Sequence, residues 1–277
     1  MLKILKKRKI TLGALIFLLI ILVCALFAGI LSPYDPNTQE ISARLTFFRS
    51  DHLLGTDNFG RDILSRIIYG SQMSLLGALG IVIFSMSLGC LLGLIAGYIR
   101  SMEAVIMRLV DSMMVFPPIL LAMLFITILG SGVMNVIIAV GIYYTTRMAR
   151  VIYGLTLKLK AEVYITACRS QGAGKIRILC RHILPNLISP IIVQATFTFS
   201  GALLQLASLD YLGLGIPREI PTWGNMLNEG SQFMTNAPWI VIYPGLAIVL
   251  TVLAVNMLGD VLRDNADPKF RDLMKEG

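Results

Sequence analysis

Long uncharged stretches alternate with charged loops along the chain. The uncharged runs extend over residues 10–31, 67–99, 112–146, 183–209 and 231–259. A helix that crosses the hydrocarbon core of a bilayer needs about 20 apolar residues. The run over 112–146 is too long for one crossing, and Gly130-Ser131-Gly132 interrupts it. The pattern therefore predicts six membrane-spanning helices, near residues 10–31, 73–98, 104–129, 134–153, 187–209 and 240–261.

The composition also indicates a membrane protein. Of the 277 residues, 56% are hydrophobic and 14% are charged, whereas a soluble domain carries about 25% charged residues. The formal net charge is +8, but the chain has no soluble basic module with interleaved aromatic residues that would suit a nucleic acid. We therefore expect an all-α membrane protein that is surrounded by membrane lipid and binds no nucleic acid.

The positions of the basic residues predict the orientation. Five basic residues and no acidic residue lie between positions 3 and 9, and membrane proteins keep such segments in the cytoplasm. The first apolar run is too long for the core of a signal peptide, so we expect a retained helix. Six crossings then place the amino and carboxyl termini in the cytoplasm. Loops 32–72, 130–133 and 210–239 lie outside in this scheme, and loops 99–103, 154–186 and 262–277 lie inside.

The inner loop near residues 161–185, called the basic loop below, has both charge and apolar surface. Eight of the nine charged side chains from Arg147 to Arg181 are basic, and Glu162 is the exception. The loop also contains apolar residues, among them Ile165, Ile176 and Ile178. Apolar area in a cytoplasmic loop indicates a docking element. The alternative is a loop whose charge serves only to orient the protein in the membrane.

Small residues recur on one face of the second predicted span. Ser85, Gly89, Gly93 and Gly97 stand four residues apart. Such spacing allows two helix backbones to approach closely in lipid. We therefore expect this helix to have a close neighbour, either in the same chain or in a partner protein.

The third predicted span contains a break signal. Pro117-Pro118 removes backbone donors and predicts a bend or interruption of the helix. This break either lines a pathway or is a simple kink. Arg108 and Asp111 lie near the inner end of the same span, where we expect them at the interface or paired with each other.

The outer segment before the second span combines turn and helix signals. Asn58-Phe59-Gly60 suits a tight turn. Asp62 and Arg66 follow at a spacing of four residues, as in a helical ion pair. We interpret the segment as an interfacial helix that leads into the second span.

Motifs for catalysis and metal binding are missing from the sequence. The run Gly172-Ala173-Gly174-Lys175 is not a phosphate loop, because Arg169 stands where the first glycine is needed and Ile176 replaces the Ser or Thr. The chain alone is therefore not expected to hydrolyse ATP. Cys168, Cys180 and His182 lack the paired spacing of a zinc site. The scarcity of ionisable residues in the spans argues against a proton-coupled carrier.

Four motifs resemble the second permease subunit of dipeptide, oligopeptide and nickel ABC importers. They are LGTDNFGRDILSRIIYGSQMSL at 54–75, RHILPN at 181–186, YLGLGIPREIPTWGNML at 211–227 and NMLGDVLRDNADPK at 256–269. The resemblance covers nearly the whole chain and implies the fold of a type I ABC importer permease. It divides the chain into an amino-terminal region over 1–72, a core permease domain over 73–262 and a cytoplasmic tail over 263–277.

The basic loop resembles the cytoplasmic EAA loop, which in this family forms a coupling helix that docks in a cleft of the ATPase. The family loop commonly begins Glu-Ala-Ala, and Thr166 here replaces that glutamate, which removes any salt bridge it makes but not the docking itself. The resemblance assigns ATPase coupling to Glu162, Thr166, Ala167, Cys168, Gly172, Ala173, Leu184 and Pro185. The extracytoplasmic family motif comprises Gly55, Thr56, Asp57, Gly60, Arg61 and Asp62.

The resemblance also implies partners and a mechanism. A second, homologous permease would complete the channel, two ATPase subunits would hold ATP and Mg²⁺, and an extracytoplasmic binding protein would deliver cargo. This chain would itself be a non-catalytic subunit of the bacterial inner membrane, with no catalytic residue, cofactor or metal ligand.

The resemblance leaves the cargo open, because peptides, nickel and metal chelates all use such permeases. The only histidines, His52 and His182, are not predicted in the pore, so coordination of a bare metal there is not expected. Two alternatives from other classes are a membrane scaffold that recruits a cytosolic partner through the basic loop, and a secondary transporter. A neighbouring permease gene and two ATPase genes would favour the importer.

The predicted orientation can be tested with single cysteines. A cysteine at Asn37 or Asn228 should react with a membrane-impermeant thiol reagent added to intact cells, whereas one at Lys175 should react only after the cells are opened. The physical reason is the asymmetry of basic residues across the membrane. Labelling of position 175 in intact cells would contradict the whole scheme.

Overall fold

The computed structural model describes residues 2–266 of the chain, with side chains from residue 10 to residue 264. The basic side chains before residue 10 and the tail beyond residue 266, on which part of the predicted orientation depends, lie outside the described residues.

The described part of the chain is helical and has no β-strand beyond one isolated bridge between Thr56 and Asp62. A short 3-10 helix covers Ile41–Ala43, and a π-helical turn covers Leu179–Ile183. The α-helices are α1 (Leu2–Leu26), α2 (Ala28–Leu31), α3 (Ile63–Tyr98), α4 (Arg100–Met114), α5 (Pro118–Leu129), α6 (Val133–Lys160), α7 (Val163–Ser170), α8 (Lys175–Ile178), α9 (Leu184–Tyr211), α10 (Trp223–Ser231) and α11 (Trp239–Ala266).

Within the described residues, three helices are long and apolar enough to cross a membrane. They cover Ile63–Tyr98, Lys175–Tyr211 and Trp239–Asp264. Counting α4 and α5 as one broken span gives four. The apolar part of α1, Ile10–Leu26, is shorter. An all-helical membrane protein is therefore confirmed, while six crossings stay a prediction.

Helix α3 is longer than the predicted span, because the segment interpreted as an interfacial helix is continuous with it. The helix has 36 residues and begins at Ile63. Asp62 caps its amino-terminal end, where Oδ2 accepts hydrogen bonds from the backbone N (2.8 Å) and Oγ (2.7 Å) of Ser65. Such a cap satisfies a backbone donor that the first helical turn leaves free.

The predicted third span is broken at Pro117-Pro118, as the prolines indicate. Helices α4 and α5 meet there at an angle of 100°. Of the two alternatives for Arg108 and Asp111, their pairing with each other is wrong, because Asp111 pairs with Arg150 of α6. The alternative of a position at the membrane interface stays a prediction. The cause is the packing of α4 against α6, which the spacing along one helix does not reveal.

Helices α3 and α6 pack with their backbones in close contact through the predicted face of small residues. Ser85, Gly89, Gly93 and Gly97 are all buried. A Cβ atom added at Gly93 would lie 2.6 Å from the carbonyl oxygen of Ala149 and 2.7 Å from Cβ of Ile152. At the end of α3, Lys160 Nζ donates to the carbonyl oxygens of Gly97 and Tyr98, each at 3.3 Å. The close neighbour is therefore α6 of the same chain.

We expect substitution of Gly93 to weaken this helix pair. Gly93→Ala places a methyl group against the backbone of α6, which cannot change rotamer to make room as a side chain can. Such overpacking costs about 1–3 kcal/mol. The purified chain in detergent should unfold at a lower temperature than the wild type. Gly154→Ala is the matched control, because Gly154 also lies within a helix but has nothing within 4 Å of the added Cβ. Equal melting temperatures for the two variants would contradict the close contact.

Candidate functional site

The basic loop folds into two short helices, α7 and α8, which are anchored on the ends of longer helices. Ile165 of α7 and Ile178 of α8 are buried. They lie in one apolar cluster with Ile183 and with Met148 and Ile152 of α6. The apolar residues of the loop therefore have two roles, because these two isoleucines fasten the loop to its own chain.

Other apolar side chains of the loop point away from the chain. Val163 is 83% exposed, Ile176 is 80% exposed and Tyr164 is 42% exposed. Four basic residues around them are also exposed, namely Arg169, Lys175, Arg177 and Arg181. The loop thus presents an apolar surface with a positively charged rim. Such a surface suits a protein partner whose docking site is apolar and acidic at its edge.

Helix α7 ends at Ser170, and Gly172 forms the turn that follows it. The φ angle of Gly172 is +82°, in the left-handed region that glycine adopts readily. The backbone N of Gly172 donates to the carbonyl of Arg169, and that of Ala173 donates to the carbonyl of Cys168, each at 3.0 Å. These two bonds form a Schellman motif. The turn directs the chain into α8.

The remaining residues assigned to coupling are spread over this loop and the start of α9. Glu162 precedes α7 without a side-chain capping bond. Cys168 Sγ lies 3.8 Å from His182 Nε2, across the loop. The described residues contain no group of three or more His, Cys, Asp and Glu side chains that could hold a metal ion. Exposed positions are Glu162, Thr166, Ala167, Gly172 and Pro185, and half-buried positions are Cys168, Ala173 and Leu184.

The extracytoplasmic family motif forms a tight turn at the other end of α3. Its members Gly55, Thr56, Asp57, Gly60, Arg61 and Asp62 are all buried. The φ angle of Gly60 is +77°, and a Cβ atom there would overlap the carbonyl group of Glu40. Asp57 Oδ1 accepts hydrogen bonds from the backbone N of Phe59 (2.8 Å) and of Arg61 (3.0 Å). Glycine and aspartate thus shape the turn that the sequence indicates.

Four charged side chains meet beside this turn, and we call them the Asp57 cluster: Asp57, Arg61, Arg66 and Glu229. Asp57 Oδ2 accepts from Arg61 Nε (2.6 Å) and Arg66 Nη1 (2.9 Å). Glu229 Oε2 accepts from Arg61 Nη2 at 2.5 Å. Arg66 Nη2 lies 3.0 Å from the same oxygen, close enough for an ion pair but without hydrogen-bond alignment. Two acids and two bases therefore form a neutral set, in which Asp57, Arg61 and Arg66 are buried and Glu229 is partly buried.

The predicted pairing of Asp62 with Arg66 is wrong. Arg66 contacts the Asp57 cluster instead, and Asp62 Oδ1 lies 2.9 Å from His52 Nδ1. Helical spacing alone does not show that Asp62 is needed as the cap of α3. Because its carboxylate already bonds the first turn, its other oxygen faces the preceding loop and His52 rather than the next turn.

Helix α10 joins this cluster to the rest of the outer segment. Glu229, on α10, is the member that the sequence does not indicate, since 168 residues separate it from Arg61. Burial raises the pKa of Glu229, and the neighbouring Arg61 guanidinium opposes that rise. The start of α10 is held by Thr222, whose Oγ1 donates to Asp210 Oδ2 at 2.7 Å and accepts from the backbone N of Asn225 at 3.0 Å. Two separate polar contacts therefore fix this helix.

Comparison with known proteins places the chain in a family. The family described as "Binding-protein-dependent transport system inner membrane component" matches residues 89–272. The family described as "N-terminal TM domain of oligopeptide transport permease C" matches residues 1–49.

Curated relatives match along almost their whole length. A "Di/tripeptide transport system permease protein DppC" of Pseudomonas aeruginosa is 43% identical over 268 residues, which cover 94% of this chain and 88% of the relative. A "Dipeptide transport system permease protein DppC" of Alkalihalophilus pseudofirmus is 42% identical, with 96% and 88% covered. A "Glutathione transport system permease protein GsiD" of Pectobacterium atrosepticum is 43% identical, with 96% and 89% covered.

The first family match contains the basic loop, and the relatives also match over the outer motif before α3. These matches agree with the apolar helices that cross the membrane. The chain belongs to the binding-protein-dependent transport family of bacterial inner-membrane components, and it is a multi-pass permease subunit of an ABC importer.

Proposed function

We propose that this chain forms one half of the channel of a peptide importer and that it receives the force of ATP hydrolysis through the basic loop. The observation that carries the proposal is the exposure of Val163 and Ile176 on two short helices whose other faces are anchored within the chain. ATP and Mg²⁺ would bind to the partner ATPases, and this chain would perform no catalysis itself.

The anchoring of the loop supports its role in coupling. Ile165 and Ile178 pack against α6, so that a push on the loop moves a long helix rather than a loose linker. The residues proposed to contact or orient the ATPase are those from Glu162 to Pro185 that the family resemblance assigns. Thr166 is exposed on α7 and supplies no negative charge. Docking would therefore depend on apolar contacts and on the basic rim.

The proposed topology has six crossings, with the amino and carboxyl termini in the cytoplasm. In this arrangement the core permease domain covers 73–262, a second permease completes the channel, and the ends of α3 lie on opposite sides of the membrane. The Asp57 cluster and α10 then face outward, where a substrate-binding protein would dock. The uncharged length of α3 and the basic residues of the loop at its far end support this orientation.

Short peptides are the proposed cargo. The relatives named above are described as permeases for dipeptides, tripeptides or glutathione. Nickel and metal chelates remain the alternative cargo of this wider group of permeases.

We expect Gly172→Asp to reduce uptake without reducing the amount of permease in the membrane. The aspartate must adopt a left-handed backbone, and its charge lies at the carboxyl end of α7, where the helix dipole disfavours it. Each effect costs about 1 kcal/mol, so docking should weaken by about tenfold to a hundredfold. Uptake of labelled dipeptide at matched expression measures the effect.

Gly174→Asp is the matched control for this substitution. Gly174 is also exposed and has nothing within 4 Å of an added Cβ, but its φ angle is −65°. The same acid at this position requires no left-handed backbone, so its uptake should stay closer to that of the wild type. Wild-type uptake by Gly172→Asp would show that the basic loop only orients the protein.

The proposed roles of the subunits predict which of them hydrolyse ATP. Proteoliposomes that contain this chain, its partner permease, both ATPases and the binding protein should take up labelled dipeptide only with ATP. The chain purified alone should hydrolyse no ATP above a mock preparation, since its loop lacks the phosphate-binding glycine and the Ser or Thr. Uptake of nickel instead of dipeptide would overturn the cargo, and hydrolysis by the chain alone would overturn the role.

A further inference from the structure

A polar cavity of about 640 Å³ lies between the outer turn and the far end of α10. Its walls come from three segments of the chain, at residues 37–39, 58–61 and 218–233. Ligand sites in proteins have volumes of about 300–1,000 Å³. The cavity is therefore large enough for a ligand the size of a short peptide.

The charged side chains on the buried side of the cavity have no net charge. Arg61 and Glu229 line it, and both belong to the neutral Asp57 cluster. Arg61 already uses Nε and Nη2 to bind Asp57 and Glu229. A ligand with net charge would disturb this balance, because a buried charge without a partner is costly. A ligand that is neutral overall would not.

The rim of the cavity has one exposed charge of each sign, and the positive one, Arg218, also opposes the rise that burial causes in the pKa of the neighbouring Glu229. Arg218 and Glu219 both line the cavity and are both exposed. Among the described residues, neither side chain is part of a salt bridge. A guanidinium binds a carboxylate through two parallel hydrogen bonds, and a carboxylate accepts hydrogen bonds from an ammonium group. The rim thus matches a ligand that has both groups.

Two aromatic residues add apolar surface to the cavity. Phe59 and Phe233 both line it and can contact the apolar side chains of a ligand. Asn58 lines the cavity too, but its Oδ1 atom has almost no accessible surface.

We propose that the polar cavity is a receiving site for a short zwitterionic peptide, with Arg218 binding its carboxylate and Glu219 binding its ammonium group. This inference rests on the proposed peptide cargo and names where the permease itself first contacts it. A zwitterion leaves the Asp57 cluster neutral. A peptide with blocked ends would lose the two rim contacts.

The test uses the assembled complex of permeases and ATPases in nanodiscs, without the binding protein, so that only the complex can select the ligand. The probe is the dipeptide alanyl-photoleucine, and the control probe is its N-acetylated, C-amidated form. After illumination, mass spectrometry should find label from the free dipeptide on segments 58–61 and 218–233. The blocked form should label at least about tenfold less, the usual effect of losing a charge-assisted hydrogen bond.

Substitutions at the two rim residues distinguish a loss of dipeptide binding from a loss of folding. Arg218→Gln and Glu219→Gln should each reduce labelling by about tenfold, with unchanged complex assembly, because both residues are exposed. Arg49→Gln, an exposed arginine of the same outer region that does not line the cavity, should label as the wild type. Equal labelling by free and blocked probes, or unchanged labelling of Arg218→Gln, would overturn the proposal.

Two further outcomes are distinguishable. In the first, a benzophenone attached at Asn228→Cys reacts with the binding protein, while the dipeptide leaves no label. The cavity is then a docking site for that protein, and the proposal is wrong. If the complete importer takes up labelled dipeptide but the cavity is not labelled, the receiving site fails while the peptide cargo stands. If no dipeptide is taken up, the proposed cargo itself fails.

Discussion

The close contact between α3 and α6 is the constraint on which the rest of the structure depends. Lipid tails are as apolar as the side chains that face them, so helices in a membrane gain little from hydrophobic burial and associate through close packing. Gly89, Gly93 and Gly97 allow this packing because their backbones touch α6 directly. A side chain at any of them would push apart the two helices that hold both ends of the molecule together.

The two candidate sites lie at opposite ends of that helix pair. At one end, Asp62 caps α3 and Arg66 enters the Asp57 cluster. At the other end, Lys160 of α6 caps α3, and the cluster around Ile165 and Ile178 fastens the basic loop. A rigid element between two sites can transmit displacement from one to the other without a chain of small adjustments. The architecture would suit the proposed role, in which an ATPase acts at one end of the helix pair and cargo is received at the other.

Oppositely charged side chains pair in the Asp57 cluster, whereas the buried carboxylate of Asp210 has only neutral hydrogen-bond donors. The Asp57 cluster contains two acids and two bases, and it connects α3 to α10 across a long stretch of sequence. Removing one partner from a buried ion pair typically costs about 3–5 kcal/mol, because the other charge is left unpaired. A buried ion-pair cluster is therefore costly to break but is weak evidence of net stability. Arg61 and Glu229 of the cluster also form part of the cavity wall.

The sequence alone determined the local features of this chain. Which distant side chains contact one another was decided only by the tertiary structure. The apolar runs follow from stretches of consecutive residues, and the break at Pro117-Pro118 and the left-handed Gly172 after α7 follow from one or two residues. The pairing of Asp57 with Arg66, the recruitment of Glu229 and the choice between buried Ile178 and exposed Ile176 do not. These contacts depend on which helices become neighbours. The sequence of an apolar span is similar whether its side chains face lipid or protein, so the sequence does not identify the neighbour. Only the packed molecule distinguishes those faces.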